Sequence, residues 1–310
     1  MTTAAQRTTA AVAPLRGLGG SFLGAVYIVW WRDIIRYWRD RARVGASLAQ
    51  PLLYLVIFGT GLASSLGGGF GAGTAGGPGV SYTQFIYPGV ISMSVLFTAI
   101  FGAMSIVWDR EFGFMRELLV APIDRAAIAV GKTLGGATQA MVQGLILLVL
   151  APFVGVTLAP LVIAQVVVLT FVLAFGLSAM GVALASFMRS MQGFQVVMNF
   201  LMMPMFFLSG ALFPLVGLPG WMTVLTRLNP ASYGIDPIRR VLLGSSGFPV
   251  ERFAINIFDR TLAIPVEAGI VLAFGGVMLP WRSAPSSAAT SPGPPSGGWR
   301  HPSRARPPAP

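Results

Sequence analysis

WDREFGFMRELLVAPIDRAAIAVGKTL, residues 108–134, is the charged island around which the rest of the chain is arranged. From Val44 to Trp108 there is no Arg, Lys, Asp or Glu, and from Thr133 to Met188 there is again none. Charge is costly in hydrocarbon, so long uncharged apolar stretches on both sides imply a membrane. The island is then expected to be a loop in water between two membrane-embedded halves. Within it Phe112, Phe114, Met115, Leu118 and Leu119 alternate with Arg110, Glu111, Arg116 and Glu117. A plain solvated loop has no use for those apolar side chains. A short amphipathic helix on the membrane surface, or docked on a partner, does.

Composition supports the same class. The 310 residues are 55% hydrophobic and 10% charged, where a soluble globular chain carries roughly 25% charged residues. The net charge of +11 does not make a nucleic-acid protein, because the arginines flank apolar spans instead of gathering on a soluble face. Without cysteine there is no disulfide framework or thiolate metal site, and the only histidine, His301, lies in the C-terminal tail. No catalytic, metal or cofactor residues are therefore assigned. The first apolar segment is interrupted by Arg32, Asp33 and Arg36, which argues against a cleavable signal peptide.

Residues 1–20 are expected to be disordered. From Phe22 to Arg43 the pattern becomes amphipathic. On a helix, Trp30, Trp31, Ile34, Ile35 and Trp38 fall within an arc of about 140°, with Arg32, Arg36, Arg39 and Arg43 opposite. That distribution predicts a helix in the plane of the membrane interface, with a helix packed on another protein as the alternative. Six spans follow, at about 45–66, 84–107, 134–154, 162–187, 194–215 and 261–280. Ser178, Gly181 and Ala185 give the fourth a small face suited to close packing. Residues 217–260 mix apolar residues with arginine. They are read as two short external interfacial or re-entrant helices split at Asn229-Pro230. Residues 281–310 are a Pro, Ser and Arg-rich tail. With both termini in the cytoplasm, 16 of the 21 basic residues lie on the cytoplasmic side, in keeping with the positive-inside rule. The expected fold is thus an all-α integral membrane protein of the cell's inner (plasma) membrane. Its domain covers residues 21–280.

Two strings invite chemistry. AAIAVGKT, residues 126–133, ends like a phosphate-binding loop, but Ala126 stands where the first glycine belongs and no strand precedes it. Lys132 is read instead as the cytoplasmic anchor of the third span. Glu267 is the one ionisable residue inside a span, a functional candidate by default. Its place near the start of that span favours the outer interface.

The island, DREFGFMRELLVAPIDRAAIAVGKTLGG, and residues 208–244, LSGALFPLVGLPGWMTVLTRLNPASYGIDPIRRVLLG, resemble the ABC-2 family of ABC-transporter membrane subunits. The likeness is closest to the daunorubicin-resistance and nodulation-factor export type. That resemblance implies a separate ATP-binding subunit as energy source and a second permease subunit, giving a homodimer. It makes the N-terminal amphipathic helix a connecting helix and Arg110–Leu119 a coupling helix, with Arg110, Glu111, Phe112, Phe114, Met115, Arg116, Glu117 and Leu118 facing the ATPase. It also implies export of a hydrophobic or amphipathic compound such as a drug, antibiotic or lipid. Export of a polysaccharide or glycolipid, or a self-contained secondary carrier, are the alternatives. A carrier calls for internal repeats or paired buried charges, and neither is legible in the sequence. The short sixth span and Pro-rich tail depart from the family pattern.

Overall fold

The computed structural model describes residues 21–65, 81–111, 125–215, 217–244, 256–257 and 260–279. The described residues form ten α-helices: α1 (Phe22–Arg39), α2 (Arg41–Ser65), α3 (Tyr82–Gly102), α4 (Met104–Glu111), α5 (Arg125–Leu148), α6 (Pro160–Phe187), α7 (Met191–Phe207), α8 (Gly220–Leu228), α9 (Pro230–Gly244) and α10 (Ile264–Met278). A short 3₁₀ turn, Ala151–Val154, follows α5, and one two-residue antiparallel pairing, Asn256–Ile257 with Arg260–Thr261, precedes α10. Apart from that pairing the described chain is helical, as expected.

Local chemistry sets several of these boundaries. Ser81 and Gln84 form a reciprocal capping box that opens α3. Ser190 caps α7 through the N–H of Gly193. Pro160 stands at the first turn of α6, where its missing N–H is not needed. The core lies where α3, α5, α6, α7 and α9 meet. Leu96, Ile100, Leu173, Leu177, Phe194 and Phe206 are all buried there. The small face expected on α6 is used as such. Ser178 donates to the Thr133 carbonyl at 2.9 Å, and Gly181 lets the Ile100 backbone approach so closely that a Cβ would lie 3.0 Å from its carbonyl oxygen.

Among the described residues three helical stretches are long and apolar enough to cross a membrane: Val44–Gly61, Tyr82–Glu111 and Pro160–Phe187. Met191–Phe207 and Ile264–Met278 are apolar but shorter. At 1.5 Å per residue the 30 residues of Tyr82–Glu111 run about 45 Å, beyond the ~30 Å of hydrocarbon, so one end of this stretch can stand clear of it. Two expected spans are trimmed. The fifth stops at Phe207, after Pro204, and the sixth has 15 helical residues. The third begins nine residues early, at Arg125.

Hydrogen bonds sort the helix ends into two sets. At one end, α4 meets the end of α6, the start of α7 and the first turns of α5. At the other, Tyr87 donates to the Leu147 carbonyl at the end of α5, and Tyr82 to Leu212 beyond α7. There too Thr83 donates to Gly59 near the end of α2, and Arg240 to Leu262 before α10. Successive long helices therefore run in alternating directions.

Candidate functional site

Three consecutive residues at the end of α4, Asp109, Arg110 and Glu111, form a hub. Neighbours on a helix point about 100° apart, so three in a row reach three different sides. Asp109 is buried and takes its partners from α1 and α5. Lys132 Nζ lies 3.3 Å from it, Arg32 3.2 Å and Arg36 3.8 Å. The same Lys132 amine lies 3.0 Å from Asp33 and 2.9 Å from the Ser105 hydroxyl. Asp33, Asp109 and Lys132 are enclosed, while the arginines are about half exposed. Desolvation makes an unpaired charge at such a depth costly, and the two carboxylates around one amine answer that cost together.

Arg110 turns the other way and donates to the carbonyls of Ser186 and Met188, at 3.0 and 2.7 Å. These carbonyls lie at the C-terminal end of α6, where the helix leaves them unsatisfied. Glu111 accepts from the Met191 N–H at 2.9 Å, at the start of α7. A cation at a helix C-terminus and a carboxylate at a helix N-terminus both match the helix dipole. Residues 109–111 thus clamp α1, α5, α6 and α7 to α4. The other residues assigned to the coupling loop, Phe112, Phe114, Met115, Arg116, Glu117 and Leu118, lie outside the described residues, as does Pro122.

Both ends of the expected charged loop are helical, residues 108–111 in α4 and 125–134 in α5. Lys132 does not anchor a span in water but sits 4% exposed in the ion network. The glycine-lysine string lies wholly within α5, where the N–H groups of Gly131, Lys132 and Thr133 are committed to the helix and cannot cradle a phosphate. Helix α1 packs along α5 through Ala25, Val26, Val29, Asp33 and Tyr37. The tryptophan face is divided. Trp30 donates to Thr138 at 3.1 Å, while Trp31 and Trp38 remain exposed with Arg32, Arg36 and Arg39. Periodicity does not single out Asp33, because its charge places it with the polar residues.

The opposite end holds a second cluster. Here α9 is not an interfacial helix but a buried one, packed between α3, α6 and α10. Glu267, one turn into α10, is fully buried, not open to the interface. Arg240 reaches both it and Asp236, the latter at 3.0 Å. Arg239 is 1% exposed, donates to the carbonyls of Gly210 and Ala211, and stacks over the Phe85 ring with 4.5 Å to its centroid. Glycine makes this approach feasible. Gly210 has φ of +77°, and a Cβ on Gly89 would lie 2.2 Å from the Ala211 oxygen. Paired buried charges therefore exist, contrary to the sequence reading. The signal was present as DPIRR, residues 236–240, but nothing local says which of its charges turn inward.

Below the α8–α9 connection an apolar cleft of about 670 Å³ opens between α6, α7 and α10, lined by Leu184, Leu201, Met205, Leu228 and Phe274. The methionine and phenylalanine stripe at 202–207 is split by the helix. Met202, Met205 and Phe206 pack in the core, and Met203 and Phe207 face out. Among the described residues no cluster of His, Asp or Glu has the makings of a metal site.

The family sequence model described as ABC-2 type transporter matches residues 24–243. The inner membrane transport permease YadH of Escherichia coli K12 is 30% identical over 237 residues, covering 73% of this chain and 86% of its own length. Nodulation protein J of Rhizobium leguminosarum is 30% identical over 240 residues, covering 76% of this chain and 87% of its own. The matched region contains the α4 hub, both charge clusters except Glu267, and the α8–α9 hairpin, and on that basis the chain belongs to the ABC-2 type transporter family, as a transport permease subunit.

Proposed function

We propose that this chain is the membrane-spanning half of an ATP-driven exporter of hydrophobic or amphipathic compounds, in the inner membrane with both termini in the cytoplasm. Six segments cross, α2, α3–α4, α5, α6, α7 and α10, and α8–α9 re-enters from outside. A separate ATP-binding subunit supplies the energy, and a second copy of the chain completes the path. The chain itself carries no ATP chemistry and needs no cofactor. The observation that carries this reading is the hub at 109–111. It stands immediately before the apolar and charged segment 112–119 and grips four other helices. A displacement of that segment by an ATPase would reach α1 and α5 through Asp109, and α6 and α7 through Arg110 and Glu111.

Phe112, Phe114, Met115 and Leu118 then fill a groove on the ATPase, a helix-in-groove contact in which each buried side chain contributes about 1.5–3 kcal/mol before ordering costs. Glu117 and Arg116 orient the contact. Phe114→Ala and Glu117→Lys are expected to reach the membrane normally but to weaken capture of the ATPase or to uncouple its turnover from substrate. Capture and substrate-stimulated ATP turnover at wild-type level in both variants would remove the segment from this role.

A further inference from the structure

A second cavity, of about 330 Å³, lies between α1, α2, α3, α5 and α7. Its size is that of a site for one small molecule. Its lining is mixed. Phe97 and Phe101 offer aromatic surface, and Ser94, Thr98, Gln139 and Gln195 offer hydrogen-bonding groups. No Asp, Glu, Lys or Arg is among its described lining residues. One of the polar groups is incomplete. Ser94 is 2% exposed and its hydroxyl has no hydrogen-bond partner. Behind the wall Gln143 is fully buried. Its carbonyl accepts from Tyr37 and Ser47, while its amide nitrogen is likewise without a partner.

Buried polar groups are nearly always satisfied, and Ser94, an orphan in the cavity wall, can take a partner from what enters after a small shift of its side chain. The chemistry of the wall restricts what that is. An ion entering here would meet no countercharge and would lose its hydration, which costs more than neutral hydrogen bonds return. A hydroxyl or amide can both donate to and accept from Ser94, Thr98, Gln139 and Gln195. A flat apolar body stacks on Phe97 and Phe101. We infer that this cavity is a binding site for an uncharged, hydroxylated amphiphile with an aromatic or ring-shaped apolar part. Its meaning as a substrate site rests on the permease reading above. The cleft beneath α8–α9 is apolar except for Asn229, whose amide is already bonded to the Met205 carbonyl and the Ala231 N–H, so it lacks the polar half of this chemistry.

The test uses three probes with one apolar body: 2-naphthyl β-glucoside, naphthalene-2-sulfonate and naphthyl-trimethylammonium. Each is titrated by its fluorescence into the full chain in lipid nanodiscs, with empty nanodiscs subtracted. The glucoside is expected to bind saturably and at least about tenfold more tightly than either ion. Ser94→Leu and Gln195→Leu are each expected to weaken it about fivefold, the order of one lost hydrogen bond. Gln195 is exposed, so its variant reads the site even if Ser94→Leu disturbs packing. Equal binding of the three probes, no saturable glucoside binding, or an unchanged affinity in Gln195→Leu overturns the inference. ATPase capture on the same nanodiscs separates the two claims. Capture without glucoside binding sinks the site and leaves the permease. Glucoside binding without capture does the reverse.

Discussion

The two ends of this molecule handle buried charge differently. At the α4 end, two enclosed carboxylates and one enclosed amine are backed by arginines about half exposed to the surroundings. At the α9–α10 end, Asp236, Arg239, Arg240 and Glu267 are all inside, with Arg240 at most 11% exposed. The first cluster keeps its arginines at the surface, within reach of partners outside the fold. The second has no outside partner to turn to, and it ties α9 to α10 and to the turn after α7.

Breaking that contrast begins at the closed end. Arg240→Leu takes the basic partner from Glu267 and one ion-pair partner from Asp236 and is expected to cost about 3–5 kcal/mol. A large drop in thermal unfolding temperature of the purified protein in detergent checks it. Adding Glu267→Leu should return part of the loss, because it removes one of the two buried carboxylates that Arg240 serves. At the open end, Lys132→Met should cost about 1–3 kcal/mol, less than a fully isolated pair, since Arg32 and Arg36 still reach Asp109. The same melting assay ranks the two. Smallest is Arg32→Gln, below about 1 kcal/mol, with an effect that shrinks as salt is raised. If Arg32→Gln proved as damaging as Arg240→Leu, at any salt, the distinction between the two ends would be lost.

Much of the architecture was legible because it depends on one-dimensional signals. Charge-free runs located the apolar helices, while the caps Ser81 and Ser190, which open α3 and α7 ahead of the expected spans, were not singled out. The split at Asn229-Pro230 separates α8 from α9 as expected, because the residue before proline is pushed out of the helical region. The inward turn of α9 was not legible. Its arginines and aspartate read as surface residues until α3, α6 and α10 enclose them. In the sequence Arg110 and Glu111 have the pattern of docking charges, because their bonds to Ser186, Met188 and Met191 join residues about 80 positions apart.

The sequence by itself determined that this chain is a helical membrane protein with a charged segment between apolar halves, and its motifs placed it in its family. Hydrophobicity and charge are properties each residue carries wherever it is placed, so these conclusions needed no partner. Only the tertiary structure decided which charges are buried. Whether Asp33, Asp109, Lys132, Arg239 or Glu267 survives inside depends on a countercharge or carbonyl brought from elsewhere in the chain. The distance between such groups is fixed by helix packing, not by their separation in sequence.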